Sequence, residues 1–271
     1  MQIGSYNALH SLNTLDRAHK TNANTLQRIS DGSKHSSAAF GSAAYAIVQR
    51  TYANIGAVSQ SNQNAQNASA MLATASGGVS NTVESLTNLR ETILHAANGT
   101  NGPSDLATLQ KSIDQTIHSI DDTVDSATFN GKRLLDGDKN VMVAGSDSYK
   151  NVPLGNLSAE GLGLRDDQGR STVNVSNPSS IADALDKVDR ALGRALDQAT
   201  TIGAAQQGLS YRSANYTTME EGLQGQASVM DSTDIAKGSV DLRNAQTQEQ
   251  LALFATKMNN HNRGAVLALL R

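Results

Sequence analysis

Apolar residues recur along much of this chain at alternating steps of three and four, the spacing that lays one stripe of side chains along a helix. In the C-terminal half the stripe runs Ile181, Leu185, Val188, Leu192, Ala195, Ala199, Ile202, Gln206, Leu209, Ser213, Tyr216, Glu220, Leu223. Ten of these thirteen positions are apolar or Tyr, and so long a heptad run predicts a coiled-coil seam that needs a partner helix. Ser179 or Ser180 is placed to cap its start. In the N-terminal half Leu106, Leu109, Ile113, Ile117, Ile120 and Val124 form an unbroken stripe. It is entered through Asn101-Gly102-Pro103-Ser104 and closed before Phe129-Asn130-Gly131. From about Ser42 to Asn98 a weaker stripe (Val48, Tyr52, Ile55, Leu72, Val79, Val83, Leu86, Ile93) predicts a long helix touching partners on more than one side.

Both ends of the chain read the same way. Ala8, Leu12, Leu15, His19, Asn22, Leu26 and Ile29 make an N-terminal heptad seam, and Leu242, Leu251, Phe254, Met258, Val266, Leu267, Leu269 and Leu270 make the C-terminal end strongly apolar. Polar and small residues interrupt each seam, and such helices are marginal in water without tertiary cover, so the ends are expected to order when something packs on them. The three prolines, 103, 153 and 178, leave residues 1–102 and 179–271 free for long helices. Between about 138 and 178, Val141-Met142-Val143 and Thr172-Val173-Asn174-Val175 read as strands of one or two hairpins. The predicted fold is therefore mainly α: a long coiled-coil rod of paired N- and C-terminal segments with a small β-hairpin insert.

Composition narrows the function classes. Aromatic residues are 3% of the chain and Trp is absent, so the core rests on Ala, Leu, Ile and Val. A net charge of −3 without a Lys/Arg block argues against nucleic acid as a partner. There is no Cys, and the six His residues stand singly without ligand spacing, so neither a metal nor a cofactor is expected. Asp121-Asp122 and Asp166-Asp167 are adjacent pairs and read as solvated carboxylates, while Gly77-Gly78 and Gly161-Leu162-Gly163 read as loop or bend glycines. No catalytic residues are proposed and no enzyme activity is expected. The start lacks a basic region followed by an apolar one, and no stretch is long enough for membrane insertion, so export without a cleavable signal peptide is the expectation.

Five segments in order resemble a known family. Leu26-Gln27-Arg28-Ile29-Ser30-Asp31-Gly32-Ser33-Lys34 is similar to "LERLSSGLR" near the start of bacterial flagellins, and Ala43-Ala44-Tyr45-Ala46-Ile47 to the "AAGLAI" that follows. Thr128 to Gly137 (TFNGKRLLDG) resembles "FNGKKLLDG". Met230-Asp231-Ser232-Thr233-Asp234-Ile235-Ala236 looks like "IRDVDMA", and Leu267-Ala268-Leu269-Leu270-Arg271 like the terminal "LQLLR". The resemblance implies a short flagellin with a minimal central region: residues 1–44 and 230–271 as the inner terminal helical domain, 45–229 as the rod domain with the β insert at about 138–178.

It further implies a structural subunit of the extracellular flagellar filament, serving motility and polymerising with identical subunits. Leu12, Leu15, Leu26, Ile29, Leu251, Phe254, Met258, Leu267 and Leu270 would carry assembly. The implied partners are the export chaperone, the secretion apparatus, the filament cap and the hook-associated proteins. A hook–filament junction protein and a flagellin-like surface adhesin are the alternatives. One motif departs from the family. Leu86 to Leu94 (LTNLRETIL) aligns with "LQRVRELAV", through which an innate immune receptor recognises many flagellins. Arg90 and Glu91 match, but Asn88 and Thr92 replace the Arg and Leu anchors and Ser112 replaces the partnering Glu, so weak recognition is expected.

Overall fold

The computed structural model describes residues 2–144 and 149–269. Five α-helices and four strands occur among them: α1 Gln2–Asp31, α2 Ser42–Ala96, α3 Pro103–Ser126, β1 Thr128–Phe129, β2 Lys132–Arg133, β3 Asp136–Ala144, β4 Tyr149–Asn156, α4 Ile181–Asp231 and α5 Ile235–Leu269. The chain divides into a terminal unit, Met1–Gly56 with Glu221–Arg271, and a central unit, Ala57–Glu220. The expected mainly-α architecture of long helices with a small antiparallel insert is what is observed.

The central unit has one core. On α2 its innermost positions are Ala65, Ala68, Leu72, Ala75, Val79, Thr82, Leu86, Leu89, Ile93 and Ala96, all buried and spaced three and four apart without a break. Alanine or threonine fills five of these ten positions, four of them before Leu86, which is why a reading weighted to large residues finds this stripe weak. Gly77 and Gly78 lie inside α2 and not in a loop or bend; a Cβ on Gly78 would sit 2.8 Å from Leu135 Cδ1, so glycine is what lets the segment after α3 approach. On α3, Leu106, Ile113, Ile117, Ile120 and Val124 are buried. Its start is Pro103, preceded by Gly102, whose N–H donates to the Asp105 carboxylate at 3.0 Å. On α4 the buried set is Ile181, Ala184, Val188, Ala191, Ala195, Ile202, Ala205 and Leu209. This corrects the predicted seam: Ala184, Ala191 and Ala205 are buried where Leu185, Leu192 and Gln206 were expected, and these three are half-buried on the flank, as is Ala199. Ser180 is no side-chain cap either, since its hydroxyl donates to Asn177 O at 2.8 Å within a 3-10 turn, Pro178–Ser180.

The insert holds two antiparallel hairpins. Asn130 (φ 49°) and Gly131 (φ 75°) turn β1 into β2, the left-handed pair that an Asn-Gly hairpin needs. β3 pairs with β4, Val141 opposite Val152, with an irregularity between Asp136 and Lys139. Thr172–Val175 is not a strand of either sheet. Val173 and Val175 are buried, and a helix side chain supplies the strand partner: Gln110 Nε2 donates to Val173 O and Gln110 Oε1 accepts from Val175 N, both at 2.9 Å. Gln198 does the same for β4, donating to Pro153 O at 3.2 Å and accepting from Gly155 N at 3.1 Å. Asp121 is no solvated carboxylate: it accepts from Ala159 N at 2.7 Å and pairs with Arg165 Nη1 at 2.9 Å. Asp166 closes the following turn, and the Arg170 backbone N–H on its carboxylate holds its pKa below the ordinary range.

Candidate assembly surface

The terminal unit pairs α1 with α5 antiparallel. Ile29 packs near Gly238 at one end, Asn22 bonds Glu249 in the middle, and Asn259 Nδ2 donates to Ser11 Oγ at 3.3 Å towards the other. The inward face of α1 is Ser11, Leu15, Ala18, Asn22, Thr25 and Ile29; that of α5 is Gly238, Leu242, Ala245, Glu249, Ala252, Thr256 and Asn259. Both follow the heptad step, and both are built mainly from small or polar side chains. A Cβ on Gly238 would meet Ile29 Cγ1 at 3.0 Å, so the helices approach closely where Gly and Ala allow it.

Apart from Leu15, Ile29 and Leu242, the large apolar side chains described on these helices are elsewhere. Leu12, Leu26, Leu251, Phe254 and Met258 stand exposed, Phe254 and Leu251 by 61% and 62%. Leu9, Ile235, Val240 and Leu253 are exposed as well, and sequence reasoning did not single these out as assembly residues. Of the predicted set, Leu15 and Ile29 are half-buried in the intramolecular seam. The side chain of Leu267 and the whole of Leu270 lie outside the described residues. Two grooves run along the hairpin, one between Leu12, Leu15, His19 and Leu253, the other between Ala18, Leu251, Ala252 and Ala255. These exposed apolar side chains make the helix pair the candidate association surface.

The seam carries one ionisable lock. Glu249 accepts from Asn22 Nδ2 at 2.5 Å and from His19 Nδ1 at 2.6 Å, and these bonds, Asn22's first, hold its pKa below the usual carboxylate range. A carboxylate whose pKa falls on folding stabilises the fold above its unfolded pKa, and that contribution is lost as pH drops through the lowered value. Acidifying below the ordinary glutamate range is therefore expected to loosen α1 from α5. Glu249→Gln should flatten this pH dependence of helicity; an unchanged acid profile would show that Glu249 is not its source.

At the break between α1 and α2 the chain crosses the break between α4 and α5. Lys34 N donates to Asp231 O at 2.6 Å and Thr233 N to Gly32 O at 3.0 Å. The buried Asp231 carboxylate accepts from Ser33 Oγ at 2.7 Å and His35 N at 3.0 Å. In the central unit, Arg90 Nε donates to Asp189 Oδ1 at 2.7 Å, Asn88 and Glu91 are exposed on α2, and Ser112 is exposed on α3. Among the described residues no His, Cys, Asp and Glu side chains group as a metal site, and no helix is long and apolar enough to cross a membrane.

Helices joined mainly through small residues at the chain's two ends, with most of their large apolar side chains turned outward, define a helical protein whose terminal pair leaves an apolar face uncovered. Residues 5–140 match the N-terminal helical region of bacterial flagellins and residues 185–270 match the C-terminal helical region. The chain belongs to the bacterial flagellin family, a family of structural proteins, and is a structural subunit of the flagellar filament. It is 25% identical to flagellin FlaB2 of Treponema pallidum over 278 aligned positions and 26% identical to the flagellin of Bacillus subtilis over 298, covering 97% of both chains in each case. Its fold is similar to that of a solved chain assigned as a flagellar hook-associated protein of Vibrio parahaemolyticus, with a TM-score of 0.60 and 15% identity over 70% of this chain and 99% of that one.

Proposed function

We propose that this subunit polymerises by coupled folding and binding of its two ends. Residues 1–44 and 230–271 act as the inner terminal domain, and 45–229, with the β insert, as the next domain outward. The supporting observation is the division of labour on α1 and α5: small residues face inward while Leu12, Leu26, Leu251, Phe254 and Met258 face out. Identical neighbours cover these side chains in a head-to-tail contact that does not close, and the ordering cost of the ends is met on binding. Leu267 and Leu270 extend the same apolar end.

The chain is exported, handed on by a chaperone that covers its apolar C-terminal segment, and folded under the filament cap beyond the hook-associated proteins, outside the cell. The small insert gives a slim, smooth filament. The hook-junction alternative has fold likeness alone in its favour, at 15% identity, whereas both helical regions of flagellin match. Purified chain added to filament seeds and followed by electron microscopy is expected to grow long filaments. Growth that stops after a few subunit layers, or does not start, overturns the reading.

A further inference from the structure

The chain has three Asn-Gly pairs, Asn98-Gly99, Asn101-Gly102 and Asn130-Gly131. In such a pair the glycine nitrogen can attack the asparagine side-chain carbonyl, because no Cβ crowds it and the backbone turns freely. The fold restrains the three pairs differently. At Asn101 both reacting groups are engaged: Nδ2 donates to His95 O at 2.7 Å and Ala96 O at 3.4 Å, closing the carbonyl end of α2, and Gly102 N, the attacking atom, donates to Asp105 Oδ2 at 3.0 Å. At Asn130 the backbone is fixed. Left-handed Asn130 and Gly131 close the β1–β2 hairpin between paired Phe129 and Lys132, and ring closure needs a rotation about the Asn130 Cα–C bond that takes the residue out of that conformation. Asn98 carries neither restraint. Asn98 and Gly99 are both exposed in the turn from α2 to α3, the space around Gly99 is open, and neither the Asn98 side chain nor Gly99 N is hydrogen-bonded among the described residues. Rotation about the Asn98 Cα–C bond disturbs one backbone bond, Asn101 N donating to Asn98 O at 3.1 Å.

We propose that Asn98 is a site of spontaneous covalent modification, with water as the reagent. Gly99 N loses its proton and bonds to Asn98 Cγ, the side-chain nitrogen leaves as ammonia, and a five-membered succinimide results. Water then adds to one of the two ring carbonyls and breaks its bond to the ring nitrogen. Attack at the side-chain carbonyl gives aspartate, and attack at the main-chain carbonyl gives isoaspartate. Nothing is oxidised or reduced: water is consumed and ammonia released. Each conversion adds a negative charge just beyond the carbonyl end of α2, where the helix dipole opposes it, and isoaspartate also lengthens the backbone of the turn by a methylene. A subunit thus acquires with age a charge at position 98 that it lacked when made. Asn98 lies in the central unit, so the inference stands apart from how the two ends assemble.

The test is prolonged incubation of the full chain in mildly alkaline buffer at physiological temperature, with tryptic peptides read by tandem mass spectrometry. The peptide Glu91–Lys111 carries Asn98 and Asn101, and Ser112–Lys132 carries Asn130. Conversion at Asn98 is expected to be at least about tenfold faster than at either other site, since each of those must first give up hydrogen bonds. In denaturant the three rates should converge. Asp105→Ala releases Gly102 N and should speed conversion at Asn101 while leaving Asn98 as it was. Gly99→Ala, whose Cβ meets nothing within 4 Å, should suppress conversion at Asn98 by crowding the attacking nitrogen. Equal rates at the three sites in the folded chain overturn the proposal, as does the same order of rates persisting in denaturant, which would place its origin in sequence neighbours and not in the fold. Undiminished conversion at Asn98 in Gly99→Ala overturns the succinimide route.

Discussion

Replacing Leu251 and Phe254 together by serine is expected to stop seeded filament growth at concentrations where the unaltered chain grows freely, without unfolding it. Each side chain is about three-fifths exposed in the single subunit, so neither contributes much to its stability. Surface changes of this kind usually cost within about 0.5 kcal/mol. In the proposed assembly the same atoms are covered by neighbouring subunits. Full burial of a Leu or Phe side chain stabilises by about 1.5–3 kcal/mol, and the part still exposed accounts for somewhat over half of that. Two such losses amount to about 2–4 kcal/mol per contact, which raises the concentration needed for growth roughly 30- to 700-fold at one decade per 1.4 kcal/mol.

The comparison that isolates assembly from folding is Ala245→Ser, in the inward seam between the same two helices, where the side chain is buried. It should weaken α1–α5 pairing only slightly and permit growth. Deleting residues 231–271 altogether is the harsher form: the central unit, with its own core from Ala65 to Leu209, is expected to remain helical and monomeric. Growth of the Leu251, Phe254 double variant at the usual concentration would remove the outward face from the mechanism. Loss of helicity throughout the truncated chain would show that the central unit depends on the terminal one.

Periodicity made the helices legible, and volume misplaced their faces. In α1 the expected seam was Ala8, whose side chain lies outside the described residues, then Leu12, Leu15, His19, Asn22, Leu26 and Ile29; the structure keeps Leu15, Asn22 and Ile29 and exchanges Leu12, His19 and Leu26 for Ser11, Ala18 and Thr25, one residue earlier. In α4 the same exchange replaces Leu185 and Leu192 by Ala184 and Ala191. A heptad pattern gives the spacing of a stripe but not its centre when two neighbouring positions both suit it. Close helix approach centres the small residue and pushes the large one to the flank. In the terminal unit that flank is the surface available to neighbours. The insert was less legible for another reason. Its 157–177 stretch is held by side chains remote in sequence, Gln110, Asp121, Lys187 and Arg194, whose bonds to backbone leave no local pattern. Val173 and Val175 alternate as a strand would, yet pair with a glutamine. At the chain crossing, the partners of Asp231 are almost 200 residues away, and nothing in the motif around it announces them.

The triple variant Asn88→Arg, Thr92→Leu, Ser112→Glu is expected to gain recognition by the innate immune receptor that reads the corresponding motif in many flagellins. On α2 the buried line runs through Leu86, Leu89 and Ile93. At 100° per residue, Asn88 lies on one flank of that line and Arg90 on the other, with Glu91 between them on the solvent side. Arg90 is engaged by Asp189 of α4, whereas Asn88 and Glu91 are exposed, as is Ser112 on α3. A receptor approaching the solvent side therefore meets Glu91 but finds an amide where the motif has a guanidinium, and a hydroxyl where it has a carboxylate. A hot-spot Arg at the centre of an interface is worth about 2 kcal/mol or more. Restoring the anchors should lower the concentration for half-maximal receptor activation by roughly tenfold or more, measured with monomeric protein on receptor-expressing reporter cells. Circular dichroism should stay unchanged, because none of the three positions belongs to the core. Equal potency of the unaltered chain and the triple variant would mean either that the receptor reads another face of the central unit or that Arg90 and Glu91 suffice.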